Sequence, residues 1–455
     1  MTSLIPGRMS REELLNEISA GAVDTVILAV TDMQGRLQGK RIDAQFFVDG
    51  LTNGVTEGCS YLLASDVDMR TVEGFALTSW ERGYGDLAFA SDFSTVRRVP
   101  WFDKTVIIFC DVMTTEGHGV APSPRQILQR QVALLAERGW HAMAGTELEF
   151  IVFNNTYEDA WNSGYRHLTP ANQYNVDYSL QGTSRVEPLL GKIRRSMRGA
   201  GMVVESLKGE CNFGQHEIAF KYSTLVDKCD EHGLFKLGAK EIAAQEGQSL
   251  TFMAKFNERE GNSCHIHLSL RDEYDQPVFP GDEGHSMSRP FEQFLAGQLK
   301  YIRELSLFLA PNINSYKRFV AGSFAPTALL WGVDNRTCAF RVVGHGPSIR
   351  FECRIPGGDV NQYLAVSALV AAGLQGVHED LELSVAFEGN AYRAEAPRVP
   401  STLHEAMELF DASGVARDAF GDEVVDHYVQ AARVEIDTFN ASVTDWERYR
   451  GFERL

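Results

Sequence analysis

The sequence has few cysteines, and none of them has the spacing that binds a structural zinc ion. The seven cysteines are scattered along the chain, odd in number and never in a Cys-x-x-Cys arrangement, which argues against a disulfide framework and a zinc ribbon. The sequence also lacks an apolar leader, and its longest apolar stretch, residues 363–377, is too short to span a bilayer. We therefore expect a soluble protein of the reducing cytoplasm that does not bind a membrane.

Basic residues are outnumbered by acidic ones. The chain has 43 Lys and Arg against 61 Asp and Glu, which gives a formal net charge of -18. Because nucleic acids and anionic membranes bind proteins through clustered Lys and Arg, neither is expected as a partner. The length of 455 residues exceeds what one compact core usually holds, so we expect one small and one large domain.

The pattern of apolar residues changes after the first quarter of the chain. Residues 26–30 and 105–110 are β-type runs in a region of short strands and turns. Gly, Pro and Ser then become frequent, which predicts a domain boundary at about residue 115. We therefore predict a small sheet domain over residues 1–115 and a larger α+β domain over residues 116–455.

Helical periodicity appears only in the second of these regions. Ser123-Pro124 precedes a periodic segment, residues 125–138, that Gly139 closes. Further helical patterns cover residues 189–198 and 291–309, and strand patterns alternate with them. This alternation indicates an α+β fold class.

Four strand patterns carry ionisable groups on one face and apolar groups on the other. Successive side chains on a strand point to opposite sides, so alternate residues share a face. The four segments are residues 145–153, 214–220, 265–268 and 350–354. In the same order, their polar faces carry the pair Glu147 and Glu149, the pair Gln215 and Glu217, the pair His265 and His267, and the trio Arg350, Glu352 and Arg354. One such strand could be a half-solvated sheet with salt bridges. Four together favour a shared functional face.

A face that gathers several carboxylates and a histidine needs compensating cations. Uncompensated charges in a partly buried cleft are costly, and oxygen-rich ligand sets suit Mg²⁺ or Mn²⁺ better than zinc. Arginines on the same face recognise phosphate or carboxylate by bidentate hydrogen bonds. The combination of metal, arginine and phosphate predicts phosphoryl transfer.

The order of these segments resembles the glutamine synthetase family from about residue 20 to the C-terminus. The motifs that carry the resemblance are Asp32-x-x-Gly35 with Gly39-Lys40, Glu147-x-Glu149, Gly214-Gln215-x-Glu217, His265-x-His267, Asn314-Ser315-Tyr316-Lys317-Arg318, Asn335-Arg336 and Arg350-x-Glu352-x-Arg354. The resemblance implies an N-terminal β-grasp domain and a catalytic domain with an open, funnel-like antiparallel sheet. It also implies a homo-oligomer of two stacked hexameric rings, a dodecamer, with each active site between neighbouring subunits.

The resemblance also implies a role for individual residues. One metal, which helps to bind the amino acid and the nucleophile, would be held by Glu149, Glu210 and Glu217. A second metal, which bridges the ATP phosphates, would be held by Glu147, His265 and Glu352. The nucleotide would contact His267, Ser269 and Arg350. The transferring phosphate would contact Arg341, Arg350 and Arg354. The glutamate substrate would contact Arg318, Arg336 and Gly261.

The sequence departs from the ammonia-using pattern in the flap, residues 318–326. Phe324 stands where the family carries a glutamate that binds and deprotonates ammonium, and phenylalanine has neither charge nor proton acceptor. An aromatic ring favours the hydrocarbon part of an alkyl amine instead. Glu57 remains as the other acid of the amine site, while Lys208 precedes Glu210 where the family often has histidines.

These departures predict an ATP-dependent ligase that joins the γ-carboxylate of glutamate to an amine through γ-glutamyl phosphate. We expect a polyamine because a second ammonium suits an acidic entrance, with ethanolamine as the main alternative amine. Ordinary ammonia-using glutamine synthesis is a second hypothesis, and a catalytically silent relative is a third. The intact ligand positions oppose the third hypothesis. Cys211, Cys264 and Cys353 adjoin ligand positions and are expected to be small buried hydrophobic residues.

Overall fold

The computed structural model describes residues 5–53, 56–281 and 287–455. Its amino-terminal part contains the helices α1 (Arg11–Ser19) and α2 (Ala44–Asn53) and the strands β1 (Thr25–Thr31), β2 (Leu37–Asp43), β3 (Glu57–Cys59), β4 (Asp86–Ser91), β5 (Arg97–Arg98) and β6 (Thr105–Met113). The strand order is β2-β1-β6-β4-β3, with β5 also paired to β6. Strands β1 and β6 are parallel, and α2 packs on this sheet. The two helices were not predicted from the sequence.

The strands of the second part begin with the long β7 (Trp140–Phe153). It is followed by β8 (Val204–Gly209), β9 (Gln215–Phe220), β10 (Ser223–Thr224), β11 (Ser249–Thr251), β12 (Cys264–Asp272), β13 (Trp331–Val333), β14 (Phe340–Val343) and β15 (Arg350–Cys353). They form a sheet in the order β13-β14-β15-β12-β7-β9-β8, and β10 and β11 pair with β7. The described pairs are antiparallel except β13 with β14, which is parallel, so the sheet departs from the expected antiparallel form at one edge.

The helices of the second part are α3 (Pro124–Ala136), α4 (Tyr157–Asn162), α5 (Leu180–Ser184), α6 (Glu187–Gly199), α7 (Leu225–Gln245), α8 (Arg289–Tyr301), α9 (Gln362–His378), α10 (Leu403–Asp411), α11 (Gly414–Phe420), α12 (Asp422–Ala441) and α13 (Asp445–Gly451). Helices α3 and α6 match their predicted segments within a few residues. The segment predicted as one helix over 291–309 is helical only to Tyr301, and a short 3-10 helix, Ser306–Phe308, follows. Among the described residues, no helix combines the length and the apolar character needed to cross a bilayer.

The predicted domain boundary falls between two well-defined elements. Strand β6 ends at Met113 and α3 begins at Pro124, and the position of the boundary within that segment remains a prediction. The Asp32-x-x-Gly35 motif forms the turn after β1 and packs against the start of α9. A side chain at Gly35 would lie 2.9 Å from the Cα of Asn361, and the Asn361 side chain donates 2.9 Å to the main-chain oxygen of Met33. The two parts of the chain therefore meet close to this turn.

The apolar face of the second sheet is covered by helices, so its other face is left for polar groups. Leu148 and Phe150 of β7 are buried, and the Phe150 ring lies 6.0 Å from that of Phe235 on α7. The β-branched and aromatic residues of β7 suit such a half-covered sheet. The four strands predicted to share a functional face are adjacent, in the order β15-β12-β7-β9.

Candidate active site

Cross-strand pairing aligns the polar residues in rows across the sheet. In one row Glu149 on β7 pairs with Glu217 on β9, and Glu217 pairs with Lys208 on β8. In another row His267 pairs with Glu352, and Glu352 pairs with Arg341 on β14. Side chains directly opposite each other on one face are close enough to interact. The register therefore gathers two groups of charged residues.

The first group consists of Glu149, Glu210 and Glu217. One carboxylate oxygen from each residue lies within 4.8 Å of the others. Glu149 is oriented by the main-chain N–H of Ser263, which donates to its Oε2 at 2.7 Å, and by Gln215 Nε2 at 3.1 Å. Three largely buried acidic groups so close together form a ligand set for a divalent cation.

The charges in this first group disfavour ionisation when no cation is bound. Burial and the nearby Glu149 carboxylate raise the pKa of Glu210 to about 7. Burial and the negative charges of Glu147, Glu149 and Glu210 raise the pKa of Glu217 well above its usual range. A bound cation would remove this penalty, because it compensates the mutual repulsion. The group therefore fits the metal that the resemblance implies.

The second group contains Glu147, Glu352 and both histidines of β12. Ligand atoms of Glu147, His267 and Glu352 lie within 4.8 Å of one another. His265 Nδ1 lies 3.2 Å from Glu352 Oε1 and 3.5 Å from Glu147 Oε2. His265 Nε2 is buried and has no hydrogen-bond partner among the described residues. The carboxylate oxygens suit Mg²⁺ or Mn²⁺, which are often bound together with phosphate oxygens, and an imidazole nitrogen adds one further donor.

His267 lies between Glu147 and Arg350. Its Nε2 lies 3.0 Å from Glu147 Oε1, and its Nδ1 accepts a hydrogen bond from Arg350 Nε at 3.2 Å. Ser269, half-buried, is two residues further along β12 and shares this face. His267 therefore connects the second acidic group to Arg350, while its contact with a nucleotide remains a prediction.

Two arginines meet at Glu352. Arg341 Nη1 donates to Glu352 Oε2 at 2.9 Å, and Arg354 Nη1 donates to Glu352 Oε1. Although burial alone would raise the pKa of Glu352, His265 and Arg354 outweigh it and hold that pKa at about 2. The carboxylate therefore stays ionised and positions two cationic groups beside the second acidic group.

Asp334 is a second anchor for Arg341. Arg341 donates to Asp334 Oδ1 through Nε at 2.9 Å and through Nη2 at 2.5 Å. Asp334 follows β13 directly, is exposed and has a positive φ of 49°. Sequence reasoning missed this residue, since it lies outside the alternating strand patterns. Its only sequence signal is its place next to Asn335-Arg336.

The residues predicted to bind the substrate lie at different depths. Arg318 is buried and donates to Ile355 O and Ser263 Oγ, each at 2.8 Å. Gly261 packs against it, because a side chain at Gly261 would lie 3.0 Å from Arg318 Cγ. Burial lowers the pKa of Arg318 to about 10. Arg336 is exposed and lines a separate cavity with Asp334 and Glu388.

Phe324 and Glu57 do not lie on the polar face of the second sheet. Phe324 is in the loop after the short 3-10 helix Ser315–Arg318, is 54% exposed and has a φ of 59°, which is uncommon for a bulky residue. Its main-chain oxygen accepts a hydrogen bond from Arg354 Nη2 at 3.4 Å. Glu57 lies on β3 of the amino-terminal sheet, where it lines a groove with Lys40 and Phe46.

The cysteines beside the ligand positions differ from one another. Cys264 and Cys353 are buried, as predicted, but Cys211 is half-exposed and its Sγ lies 3.6 Å from Asp177 Oδ2. The prediction for Cys211 was wrong because it follows the end of β8, where strand alternation no longer fixes the direction of the side chain. Asp177, on a loop without periodicity, was not predicted.

The chain is similar in sequence to known proteins. Residues 121–450 match the family model described as glutamine synthetase, catalytic domain. The chain is 61% identical over 444 residues to the gamma-glutamylethanolamide synthetase GlnA4 of Streptomyces coelicolor, covering 98% of this chain and 96% of that protein. It is 36% identical over 434 residues to the glutamate–isopropylamine ligase of a Pseudomonas species, covering 94% of this chain and 95% of that protein.

The fold is also similar to solved structures. A structure described as a GmaS/ADP complex superposes with a TM-score of 0.84 at 24% identity, covering 97% of this chain and 99% of that chain. At this identity the likeness concerns the fold alone. It supports the arrangement of the two sheets described above.

Proposed function

The chain belongs to the glutamine synthetase family, and from this premise we propose that it joins the γ-carboxylate of glutamate to an alkyl amine at the expense of ATP. In this reaction the γ-carboxylate takes the γ-phosphoryl group of ATP and forms γ-glutamyl phosphate. The amine then attacks the activated carbonyl, and ADP, phosphate and a γ-glutamylamide leave. The observation that carries the proposal is the pair of charged groups on one sheet face, together with Phe324 in the flap.

Family membership implies ATP and a divalent metal, and we propose Mg²⁺ or Mn²⁺. Glu149, Glu210 and Glu217 would hold one ion, and Glu147, Glu352 and His265 or His267 would hold another. The ions supply positive charge that neutralises phosphate and the nearby carboxylates. The carboxylate oxygens of both groups support the assignment.

The protein's own residues position the reacting groups. Arg341 and Arg354, both anchored on Glu352, present guanidinium groups where charge develops during phosphoryl transfer. Arg350, which donates to His267, would contact the nucleotide, and Arg318, Arg336 and Gly261 would bind glutamate. Electrostatic stabilisation by preoriented donors is the main contribution that such residues make to catalysis.

The nucleophile is an alkyl amine rather than ammonium. Phe324 cannot act as a base or as a counter-charge, whereas its ring can cover a hydrocarbon chain. Among amines we propose ethanolamine. The relative at 61% identity is a gamma-glutamylethanolamide synthetase, and a second relative acts on isopropylamine. A polyamine, which the acidic composition favoured, is compared directly in the test below.

Further features of the assembly are proposals that rest on the family. We propose two stacked hexameric rings in the cytoplasm, in which Glu57 of one subunit enters the active site of its neighbour. The location of Glu57 on the amino-terminal sheet, apart from both acidic groups, supports such sharing. A boundary at about residue 115 would separate the domain that carries Glu57 from the catalytic domain.

The test is an amine screen with the purified enzyme, glutamate, ATP and Mg²⁺. Phosphate release is measured with ammonium, ethanolamine, isopropylamine and putrescine at equal concentration, and each product is identified by mass spectrometry. The expected result is γ-glutamylethanolamide as the product of highest kcat/KM and poor turnover of ammonium. Equal efficiency with ammonium and every amine would contradict the proposal and support ordinary glutamine synthesis.

A further inference from the structure

Lys208 lies inside the first acidic group, next to the predicted metal ligands. Its side chain leaves β8 opposite Glu217, and its Nζ donates to Glu210 Oε1 and lies 3.7 Å from Asp177 Oδ1. The same Nζ lies 4.7 Å from the centre of the Tyr178 ring. Two carboxylates and an aromatic face therefore fix the ammonium group, although 27% of the side chain remains exposed.

This lysine changes the charge balance of the group. Glu149, Glu210 and Glu217 bring three negative charges, and one divalent cation leaves one of them uncompensated. Lys208 supplies the missing positive charge. With the metal bound, the three glutamates and Lys208 together carry no net charge, while Asp177 remains as a carboxylate on the solvent side of Lys208.

The ammonium group of Lys208 and its neighbours can be reached from solvent. Asp177 and Tyr178 are exposed, and Tyr178 is held to the end of β8 by its main-chain N–H, which donates to Gly209 O at 3.4 Å. An ammonium group offers three donors, and the Asp177 carboxylate is an acceptor. A hydroxyl group, which both donates and accepts, can pair with both.

We propose that Lys208 is a specificity-determining residue that makes the enzyme prefer an amine with a neutral hydroxyl tail over an amine with a second ammonium group. The inference rests on the proposed amine-ligase function and adds the residue that selects the tail. A second ammonium there could pair with Asp177, but it cannot accept a hydrogen bond from Lys208 and is repelled by the like charge of that ammonium at short range. A hydroxyl group there accepts a hydrogen bond from Lys208 and donates one to Asp177.

The test uses three amines with equal numbers of non-hydrogen atoms: 3-amino-1-propanol, butylamine and 1,3-diaminopropane. We compare kcat/KM for each in the wild-type enzyme, in Lys208→Met, which keeps the length but removes the charge, and in Lys208→Arg, which keeps the charge. In the wild type the amino alcohol should exceed the diamine by about tenfold or more. In Lys208→Met this ratio should fall by about tenfold, and in Lys208→Arg it should stay within about threefold of wild type.

If Lys208 had only a structural role, its replacement would change kcat/KM for all amines alike, for example through weaker metal binding. The ratio of kcat/KM between two amines is free of such effects. A wild-type preference for the diamine, or a Lys208→Met ratio within about twofold of wild type, would overturn the proposal. If Lys208→Met does not fold, Lys208→Gln replaces it, and if neither folds the wild-type ranking decides. Failure of the amine-ligase function itself is distinct, because the wild-type enzyme would then release no phosphate with ethanolamine or with any of the three amines.

Discussion

His267 Nε2 lies 3.0 Å from Glu147 Oε1, across the pairing of β12 with β7. His265, two residues earlier, also approaches Glu147, at 3.5 Å through Nδ1. Both imidazoles therefore adjoin one carboxylate, although the resemblance assigns only His265 to the metal. Together they make the second acidic group richer in nitrogen donors than the sequence motif alone implied.

Replacing either histidine should weaken metal binding. We expect His265→Ala and His267→Ala each to reduce Mn²⁺ affinity by about tenfold or more, because each removes a group beside Glu147 and a ligand or its close neighbour is typically worth that much. Electron paramagnetic resonance of free Mn²⁺ measures the affinity. His141→Ala is the control, since His141 lies at the far end of β7 and pairs with the exposed Asp275. Unchanged affinity in His267→Ala would restrict that residue to the nucleotide.

Glu352→Ala should abolish phosphate release and leave the protein folded. The substitution removes a predicted metal ligand and the shared anchor of Arg341 and Arg354, so two guanidinium groups lose their common counter-charge. Phosphate release and circular dichroism measure the two effects. Activity within about tenfold of wild type would refute the role. Glu408→Ala, on the exposed surface of α10, serves as the control.

Asp334→Asn should reduce phosphate release by about tenfold, because Arg341 loses one of its two carboxylate anchors. Since the Asp334 side chain is 68% exposed, the fold should be unaffected. The effect should appear in kcat for every amine, while the ratio between amines stays constant. Asp275→Asn is the matched control because Asp275 is also exposed and has a positive φ. A full retention of kcat would show that Glu352 positions Arg341 alone.

Phe324→Glu should lower the preference for an alkyl amine over ammonium. The new carboxylate supplies a base and counter-charge, and the apolar contact is lost, so the efficiency ratio should fall by about tenfold to several hundredfold. A monoamine is the proper probe, since the distal ammonium of a polyamine could pair with the new carboxylate. Val320→Glu, which places the same charge on another exposed residue of the loop, is the control. An unchanged ratio in Phe324→Glu would contradict the role of Phe324, and together with equal wild-type turnover of ammonium and every amine it would argue for ordinary glutamine synthesis.

His427 should make the protein less stable in mild acid. Burial between Phe75 and Tyr428 lowers the pKa of His427 from its usual 6.5 to about 4. As the pH falls, His427 takes up a proton in the unfolded state before it does so in the folded state. Its contribution to the free energy of unfolding is therefore fully present above pH 6.5 and is lost as the pH falls towards 4. At pH 5 this amounts to about 2 kcal/mol in the free energy of unfolding.

The measurement for His427 is urea unfolding at pH 7 and pH 5. His427→Gln should remove that part of the pH dependence, whereas His404→Gln, on the exposed surface of α10, should keep it. Other titrating groups cancel in the comparison between variants. Identical pH slopes in wild type and His427→Gln would contradict the role of His427.

The sequence by itself determined which strands carry the chemistry. Alternation along residues 145–153 placed Glu147 and Glu149 on one face because side chains alternate at every strand residue. The same rule located Glu217, His267 and Glu352, and the structure aligns all of them in cross-strand rows. A local geometric rule was sufficient here, since it depends only on neighbouring residues. The motifs also supplied the family, which the comparisons confirm.

Tertiary structure alone decided which charged groups meet. The Asp334–Arg341 pair, the contact of Lys208 with Glu210 and Asp177, and the exposure of Cys211 involve residues at strand ends or in loops, where periodicity no longer sets the direction of a side chain. Helix α8 ended early for a related reason, because apolar periodicity continues through a 3-10 turn that packs on the same core. Such contacts depend on the three-dimensional path of the chain around strand ends and loops, which strand alternation does not predict even for residues as near in sequence as Asp334 and Arg341.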